Sequence, residues 1–382
     1  MAEDMQKVVI APDSFKGCLS SAEVAASIAR GVHSVLPECR LSCVAVADGG
    51  EGTVDALVST LGGIKIEVDV AGPLMAPVKA VYGVSADGRT AIMEMASASG
   101  LPLVPDALRN PMKTTTYGTG QMIMHAIRSG CRKVLIGIGG SATNDGGLGM
   151  LHALGFRFFD CAGGEIAPGC GADLSRVERI DSADVPPEVR ATEFVVACDV
   201  TNPLCGPGGA AHVFARQKGA DTAMIEQLDA GMRHFASVME RSGLPSVADM
   251  PGAGAAGGLG GAFVAFLDAE LKAGIDIVLD AAKFDTVLAD ADLVITGEGR
   301  LDGQTAMGKA PQGVLRHAQR CGVPVVAIGG AVQDARALNE AGFAAVFSVQ
   351  QGPVTLSDAM KLEVASANIS RTVAQIIRLF NH

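Results

Sequence analysis

The order of strand and helix patterns along this chain constrains its fold more than any single residue does. Apolar, β-branched runs alternate with helical patterns at both ends of the chain, whereas the middle follows a different grammar. Near the start, Lys7–Ala11 reads as a strand, and Ser20 or Ser21 caps a helix with Glu23 in its first turn and Val24, Ile28 and Val32 at helical spacing. Ser42–Ala47 reads as a second strand, and Thr53 opens a helix that stops at Gly62-Gly63. From Ala291 the alternation returns, with strands at Asp292–Thr296, Val323–Ile328 and Ala345–Val349 and a last helix to about Phe380. Such repeats build an open parallel sheet covered by helices.

Between these ends, Ile64–Val70, Pro77–Val84 and Arg89–Met95 are separated by Gly-Pro and Asp-Gly turns, the pattern of an antiparallel meander of strands. A helix over 118–129, a strand at Val134–Ile138, another at Glu193–Cys198 and a long helix over 221–241 follow, then a glycine- and alanine-rich run at 252–261. The expectation is an α/β protein: a discontinuous, flavodoxin-like parallel domain from 1–63 and 283–382, with a second α/β domain of mixed sheet, 64–282, inserted in it. A length of 382 residues agrees with about two domains of ~150 residues. A cleft between two domains is the default ligand site.

Charge and composition narrow the partners. The net charge of −11, the absence of Trp and the presence of only two Tyr disfavour a nucleic-acid groove, which needs cations interleaved with stacking rings. Charged residues interrupt every apolar run before the ~18 residues of a membrane span, so no membrane partner is expected. Nine cysteines without a CxxC pair suit a reducing compartment. The acidic start, Met1-Ala2-Glu3-Asp4, leads straight into a strand and lacks the features of a targeting peptide, so a cytoplasmic location is expected. The oligomeric state is left open, a homodimer being the simplest assembly.

The loop Gly139-Gly140-Ser141-Ala142-Thr143-Asn144-Asp145-Gly146-Gly147 joins a buried-strand pattern to a helical one. Its glycines suit a backbone that takes positive φ or is closely approached, and an anion is the partner that turn amides favour. Acids mark other strand ends: Asp13, Asp48, Asp199 and Glu298 each fall within two residues of one, with Lys16, Asn202, Arg300 and Asp302 in the loop tails. Ligands bind at that edge of parallel sheets, and acids beside a few cations suit a metal and a phosphate together.

Two patterns are lookalikes. Gly137-Ile138-Gly139-Gly140-Ser141-Ala142 matches a loose dinucleotide fingerprint, with Asp160 further on as its acid, but Asn144-Asp145 stand where smooth helix packing is wanted. Gly303–Lys309 satisfies GxxxxGK but continues with Ala310 in place of the metal-binding hydroxyl. Pro311 suits the start of a helix, which leaves Lys309 beside that helix's positive end as a phosphate contact. The histidines lack metal-ligand spacing, with His212 the least easily set aside, and Cys198 and Cys205 lack a base partner, so nucleophilic catalysis by the protein is disfavoured.

Taken together, Asp13-Ser14-Phe15-Lys16-Gly17, Ala47-Asp48-Gly49-Gly50-Glu51-Gly52, the loop from Gly139 to Gly147, Cys198-Asp199-Val200-Thr201-Asn202-Pro203-Leu204 and Thr296-Gly297-Glu298-Gly299-Arg300-Leu301-Asp302 resemble the motifs of the type I bacterial glycerate kinases, in order and over nearly the whole chain. The resemblance implies ATP-dependent phosphorylation of D-glycerate, with the 2-hydroxyl as the expected acceptor. It also implies a flavodoxin-like domain carrying a restriction-endonuclease-like insertion.

For such a reaction, chemistry suggests roles. Asp199 is the expected base, with Asp48 second, and Lys16 assists the transfer. Asp13, Ser14, Lys16, Asn202 and Arg300 are the expected substrate contacts, Arg300 through a bidentate grip on a carboxylate or phosphoryl group. Gly139, Gly140, Ser141, Asn144, Gly257, Gly258 and Lys309 would line the phosphates of ATP. Glu298 with Asp302 or Asp13 would hold Mg2+. An NAD-dependent oxidoreductase and a non-catalytic glycerate or nucleotide sensor are the competing readings.

Overall fold

A computed structural model describes residues 5–46, 53–303, 305 and 310–380. The chain divides into two compact units: a split unit of Met1–Asp48 with Val278–His382, and an inserted unit of Gly49–Ile277. In chain order the split unit starts with β1 (Lys7–Ile10) and β2 (Arg40–Cys43). The inserted unit adds β3 (Ile64–Ala71), β4 (Pro77–Val84), β5 (Thr90–Glu94), β6 (Lys133–Gly137), β7 (Arg157–Phe159), β8 (Arg179–Asp181), β9 (Glu193–Ala197) and β10 (Glu270–Lys272). The chain then returns to the split unit with β11 (Leu293–Leu301), β12 (Val325–Val332) and β13 (Ala345–Ser348).

The split unit holds a five-stranded sheet in the order β13-β12-β11-β1-β2, parallel throughout. Counted within the unit this is the order 2-1-3-4-5 of doubly wound, flavodoxin-like sheets. Val8, Ile10, Leu293 and Ile295 belong to one core with Val24, Ile28, Ile369 and Val373 of helices Ser21–His33 and Leu362–Phe380. The alternate residues Val9, Val294 and Val325 are buried outside that core, so the opposite face is covered as well. Burial on both faces is why these strands read as continuous apolar runs. Helix Ser21–His33 starts on a capping box, in which the Ser20 hydroxyl accepts from the Glu23 amide and the Glu23 carboxylate accepts from the Ser20 amide at 2.8 Å.

The inserted unit carries a six-stranded mixed sheet, β10-β9-β6-β5-β4-β3, and β7 pairs with β8 as a separate ribbon. β3 and β4 are antiparallel, as are β4 and β5, whereas β5, β6, β9 and β10 run parallel. β5 is therefore both the last strand of the meander and the first of the parallel half. Helix Thr53–Thr60, grouped by the sequence reading with the terminal segments, packs instead on β4 and β5. The cause is local: Gly83 of β4 has no side chain, and Val58 Cγ2 lies 2.1 Å from where its Cβ would stand. The run 252–261 becomes the start of helix Ala255–Leu267, whose first turn is broken at Ala256, Gly257 and Gly258, all at positive φ. No described helix is long and apolar enough to cross a membrane, and all nine cysteines are free thiols.

Candidate functional site

In the split unit the site residues expected from sequence gather where the sheet order reverses, at the C-terminal ends of β1 and β11. These are neighbouring strands whose onward connections run to opposite sides. The ladder continues past β1: the Ala11 amide donates to the Ile295 carbonyl at 3.0 Å and the Asp13 amide to the Gly297 carbonyl at 2.8 Å. The Thr296 hydroxyl donates to the Ala11 carbonyl at 2.7 Å. Asp13–Lys16 thus lies along Gly297–Gly299, so close that a Cβ on Gly299 would stand 3.3 Å from the Lys16 amide nitrogen. Asp13 Oδ1 accepts the Ser14 amide at 2.6 Å, Asp13 and Ser14 are half-buried, and Lys16 is exposed.

The strand expected to stop at Thr296 continues to Leu301, paired with β12 from 294 to 298 and again at Arg300 and Leu301. Glu298 and Arg300 therefore stand on a strand and not in a loop, two residues apart and on one face. A Cβ on Gly297 would meet the Ile328 carbonyl oxygen at 2.1 Å, so this position needs glycine for the two strands to stay paired. The Thr305 hydroxyl donates to Glu298 Oε1 at 2.5 Å and accepts from the Asp302 amide at 3.0 Å, tying both acids to one turn. Arg300 Nη2 donates to Gln333 Oε1 at 2.7 Å, and its Nε stands 3.6 Å from Asp302 Oδ2. In this arrangement two of its nitrogens already face protein oxygens. Glu298 and Asp302 offer hard oxygen donors, and one or two carboxylates completed by phosphate oxygens and water are what magnesium takes, so the residues fit that ion. Among the described residues no three His, Cys, Asp or Glu side chains gather as a metal cage.

In the inserted unit the corresponding edge lies beyond β6 and β9, which are parallel neighbours. The loop after β6 is anchored by the Ala142 amide on the Ser99 carbonyl at 2.9 Å and by the Leu101 amide on the Gly140 carbonyl at 2.8 Å. Gly139 and Gly140 are exposed, Gly140 at φ 71, and neither amide donates to an acceptor among the described residues. Ser141, Thr143, Asn144 and Asp145 turn inward and are buried. Asp145 Oδ2 accepts from the Thr116 amide and the Thr116 hydroxyl, both at 2.8 Å, and from the Gly149 amide at 3.3 Å, while Oδ1 accepts from the Gly147 amide at 3.2 Å. Burial raises its carboxyl above the usual range, and these donors oppose the shift.

A lysine that no sequence pattern marks completes this cluster. Lys218 Nζ donates to Ser141 Oγ at 2.7 Å and to the Thr143 carbonyl at 2.6 Å, and burial pushes its ammonium down to about 7 against the pull of Asp145. Gly257 and Gly258 pack behind the loop: the Gly146 amide donates to the Gly257 carbonyl at 3.0 Å, and a Cβ on Gly257 would meet the Thr143 carbonyl oxygen at 2.2 Å. Beyond β9, the exposed Asp199 accepts the Gly274 amide, at the first turn of helix Gly274–Ala281, at 3.0 Å. The Asn202 side-chain amide donates from Nδ2 to the Gly208 carbonyl at 2.8 Å, and the Asn202 backbone carbonyl accepts from the Gly254 amide at 3.0 Å. The loops carrying Asp199, Asn202 and Gly139–Gly147 thus share one edge of the inserted sheet. Asp48 and Lys309 lie outside the described residues.

The dinucleotide fingerprint does not hold locally. β6 ends at Gly137 and the next helix begins only at Leu148, whereas that motif needs a tight turn straight into the helix. Asp160 is committed to its own turn, with Oδ1 accepting from Ala162 at 3.0 Å and Gly164 at 2.8 Å while Oδ2 faces Arg176 at 3.3 Å. His212 stands 4.0 Å from Asp229, which also takes the Gly206 amide at 2.6 Å and Arg233 at 2.9 Å, an anchoring cluster of the fold. Burial raises the Cys198 and Cys205 thiols, which keeps them weak nucleophiles.

Comparison with known proteins places these features in one family. The model of the glycerate kinase family matches residues 8–381. A glycerate kinase of Bacillus subtilis (strain 168) is 50% identical over 371 residues, covering 97% of this chain and 96% of that protein. A glycerate 2-kinase of Escherichia coli (strain K12) is 46% identical over 374 residues, covering 96% and 98%. The crystal structure of a glycerate kinase 2 candidate from Salmonella typhimurium LT2 superposes with a TM-score of 0.87 at 47% identity, covering 98% of both chains. With whole-chain identity at this level, the same α/β architecture and acids at both sheet edges, the chain belongs to the glycerate kinase family.

Proposed function

We propose that the protein transfers the γ-phosphoryl group of ATP to the 2-hydroxyl of D-glycerate with magnesium present. The observation that carries this reading is the placing of Asp13, Glu298 and Asp302 around the order reversal of a parallel sheet, in a chain of this family. Phosphoryl transfer asks a protein mainly to position reactants and neutralise charge. Glu298 and Asp302, steadied by Thr305, would hold magnesium, which when bound neutralises phosphate charge and orients the transferring group. Lys16 and Arg300 provide the cations for glycerate or the transferring phosphoryl group, and Ser14 and Asn202 add neutral hydrogen-bonding partners.

In the inserted unit, the Gly139 and Gly140 amides with Ser141 and Asn144 would receive the phosphates of the nucleotide. Asp199 would take the proton of the attacking hydroxyl as the new P–O bond forms and the bond to the ADP oxygen breaks. Its tie to the Gly274 amide fixes the carboxylate while leaving it exposed for this task. The E. coli relative's name specifies a 2-kinase, which supports the 2-hydroxyl over its neighbour.

The test supplies Mg-ATP and D-glycerate and couples the product to enolase with no mutase present. Immediate signal is expected and identifies 2-phosphoglycerate. Signal only after mutase addition would move the acceptor to the 3-hydroxyl, and no signal in either arm would overturn the kinase assignment.

A further inference from the structure

The loop after β6 holds a polar arrangement that the fold leaves unfinished. Asn144 is wholly buried, yet neither its Oδ1 nor its Nδ2 has a hydrogen-bond partner, and the Thr143 hydroxyl beside it is unpartnered too. Buried amides are costly to leave unpaired, so an ordered water enclosed with them is the natural completion of this arrangement. On the other side of the same segment stands Lys218, the last residue of the short turn Arg216–Lys218 and 2% exposed. Its backbone is fixed in turn: Gly219 follows at φ 96, and a Cβ there would meet the Arg109 carbonyl oxygen at 2.2 Å. The ammonium spans Ser141 Oγ and the Thr143 carbonyl, residues either side of Ala142. A lysine removed from water to grip two atoms of one glycine-flanked loop restrains that loop where it would otherwise be loosest.

We propose that Lys218 is a positioning residue for nucleotide binding: from inside the fold it fixes Ser141 and the Thr143 carbonyl, and so holds the exposed Gly139 and Gly140 amides ready for phosphate oxygens. The inference rests on the nucleotide role given to this loop above. Lys218 is itself too enclosed to be the phosphate's direct partner. It sets the loop's geometry, and the neutral donors of the loop make the contact.

The experiment measures equilibrium binding of ADP, without glycerate, to the full-length protein and to Lys218→Met and Ser141→Ala. Charge-assisted hydrogen bonds of this kind translate to about tenfold or more in affinity, so at about pH 6, where Lys218 holds its proton, Lys218→Met should weaken ADP by about that factor and Ser141→Ala by a smaller one. In steady-state assays the KM for ATP should rise in parallel while the KM for glycerate stays unchanged, a split that general loosening of the fold does not produce. If Lys218→Met fails to fold, Lys218→Arg answers the question in its place, since it keeps the charge but not the geometry of both bonds, whereas Ser141→Ala also removes a proposed phosphate contact. Wild-type protein that binds ADP, with both variants binding equally well, overturns the positioning role and leaves the kinase reading intact. Wild-type protein that fails to bind ADP overturns the nucleotide role of the loop and this inference with it.

Discussion

With its ammonium enclosed, Lys218 titrates at about 7 in place of the ordinary 10.5, because removal from water disfavours the charged form more than Asp145 can restore it. A folded-state pKa below the unfolded one means that, between those two values, the unfolded chain carries a proton the folded chain has lost. Stability of the inserted unit therefore rises with pH across that window, by at most about 1.4 kcal/mol per pH unit. Asp145 behaves oppositely: its raised carboxyl binds a proton in the fold above 3.8, so its contribution falls as pH rises from 3.8 through its folded value. The two effects have opposite sign, so within this pair a gain of stability with rising pH is the mark of Lys218. Urea unfolding at pH 7.5 and 9.5 should show the wild type gaining stability at the higher pH, with Lys218→Met losing that gain. Equal pH dependence in both proteins would mean that Lys218 is charged throughout.

At the level of elements, the loop after β6 depends on a glycine far away in sequence. Gly257 lies at φ 69, and a Cβ there would stand 2.2 Å from the Thr143 carbonyl oxygen and 2.5 Å from Asn144 Cα, both backbone atoms that cannot swing aside. Gly257→Ala should therefore cost about 1–3 kcal/mol through strain and overpacking, and displace the loop enough to weaken ADP binding while leaving the KM for glycerate unchanged. A crystal structure of the variant with the loop unmoved, or unaltered ADP affinity, would refute this. The same loop shows where sequence reading reaches its limit. Its strand, its glycines and its polar character were legible because they are local. Lys218 was not, since its partners lie 77 and 75 residues earlier and nothing around it marks a lysine as buried. β11 is a second case: the sequence pattern ends the strand Leu293–Leu301 at Thr296, because Gly297-Glu298-Gly299-Arg300 has the composition of a turn. Pairing with β12 overrides that composition and places Glu298 on a rigid element. β10 was missed as well, for Glu270–Lys272 is too short and too polar to show a strand pattern by itself.

The whole molecule is assembled from segments of unequal independence. Every strand of the six-stranded sheet comes from the continuous stretch Gly49–Ile277, and the large core around Ile136, Phe158, Phe235 and Phe263 lies within that stretch. The five-stranded sheet is different, because its interior β1 and edge β2 precede the insertion while the central β11 follows it with β12 and β13. The alternation at both chain ends made this interleaving legible, since apolar runs of matching length can share one sheet whatever separates them in sequence. Independence then follows from topology. A fragment spanning 49–277 retains all of its strand pairings, whereas one spanning 278–382 loses β1 and exposes the apolar edge of β11, a template for aggregation. The 49–277 fragment should melt cooperatively and bind ADP, because the loop Gly139–Gly147, Lys218 and Gly257 all belong to it. It should not phosphorylate glycerate, because Asp13, Lys16, Glu298, Arg300 and Asp302 do not. Calorimetry, ADP titration and the enolase-coupled assay on this fragment check the three statements separately. A folded fragment with no affinity for ADP would move the nucleotide's phosphates away from the loop after β6 and toward the residues of the split unit.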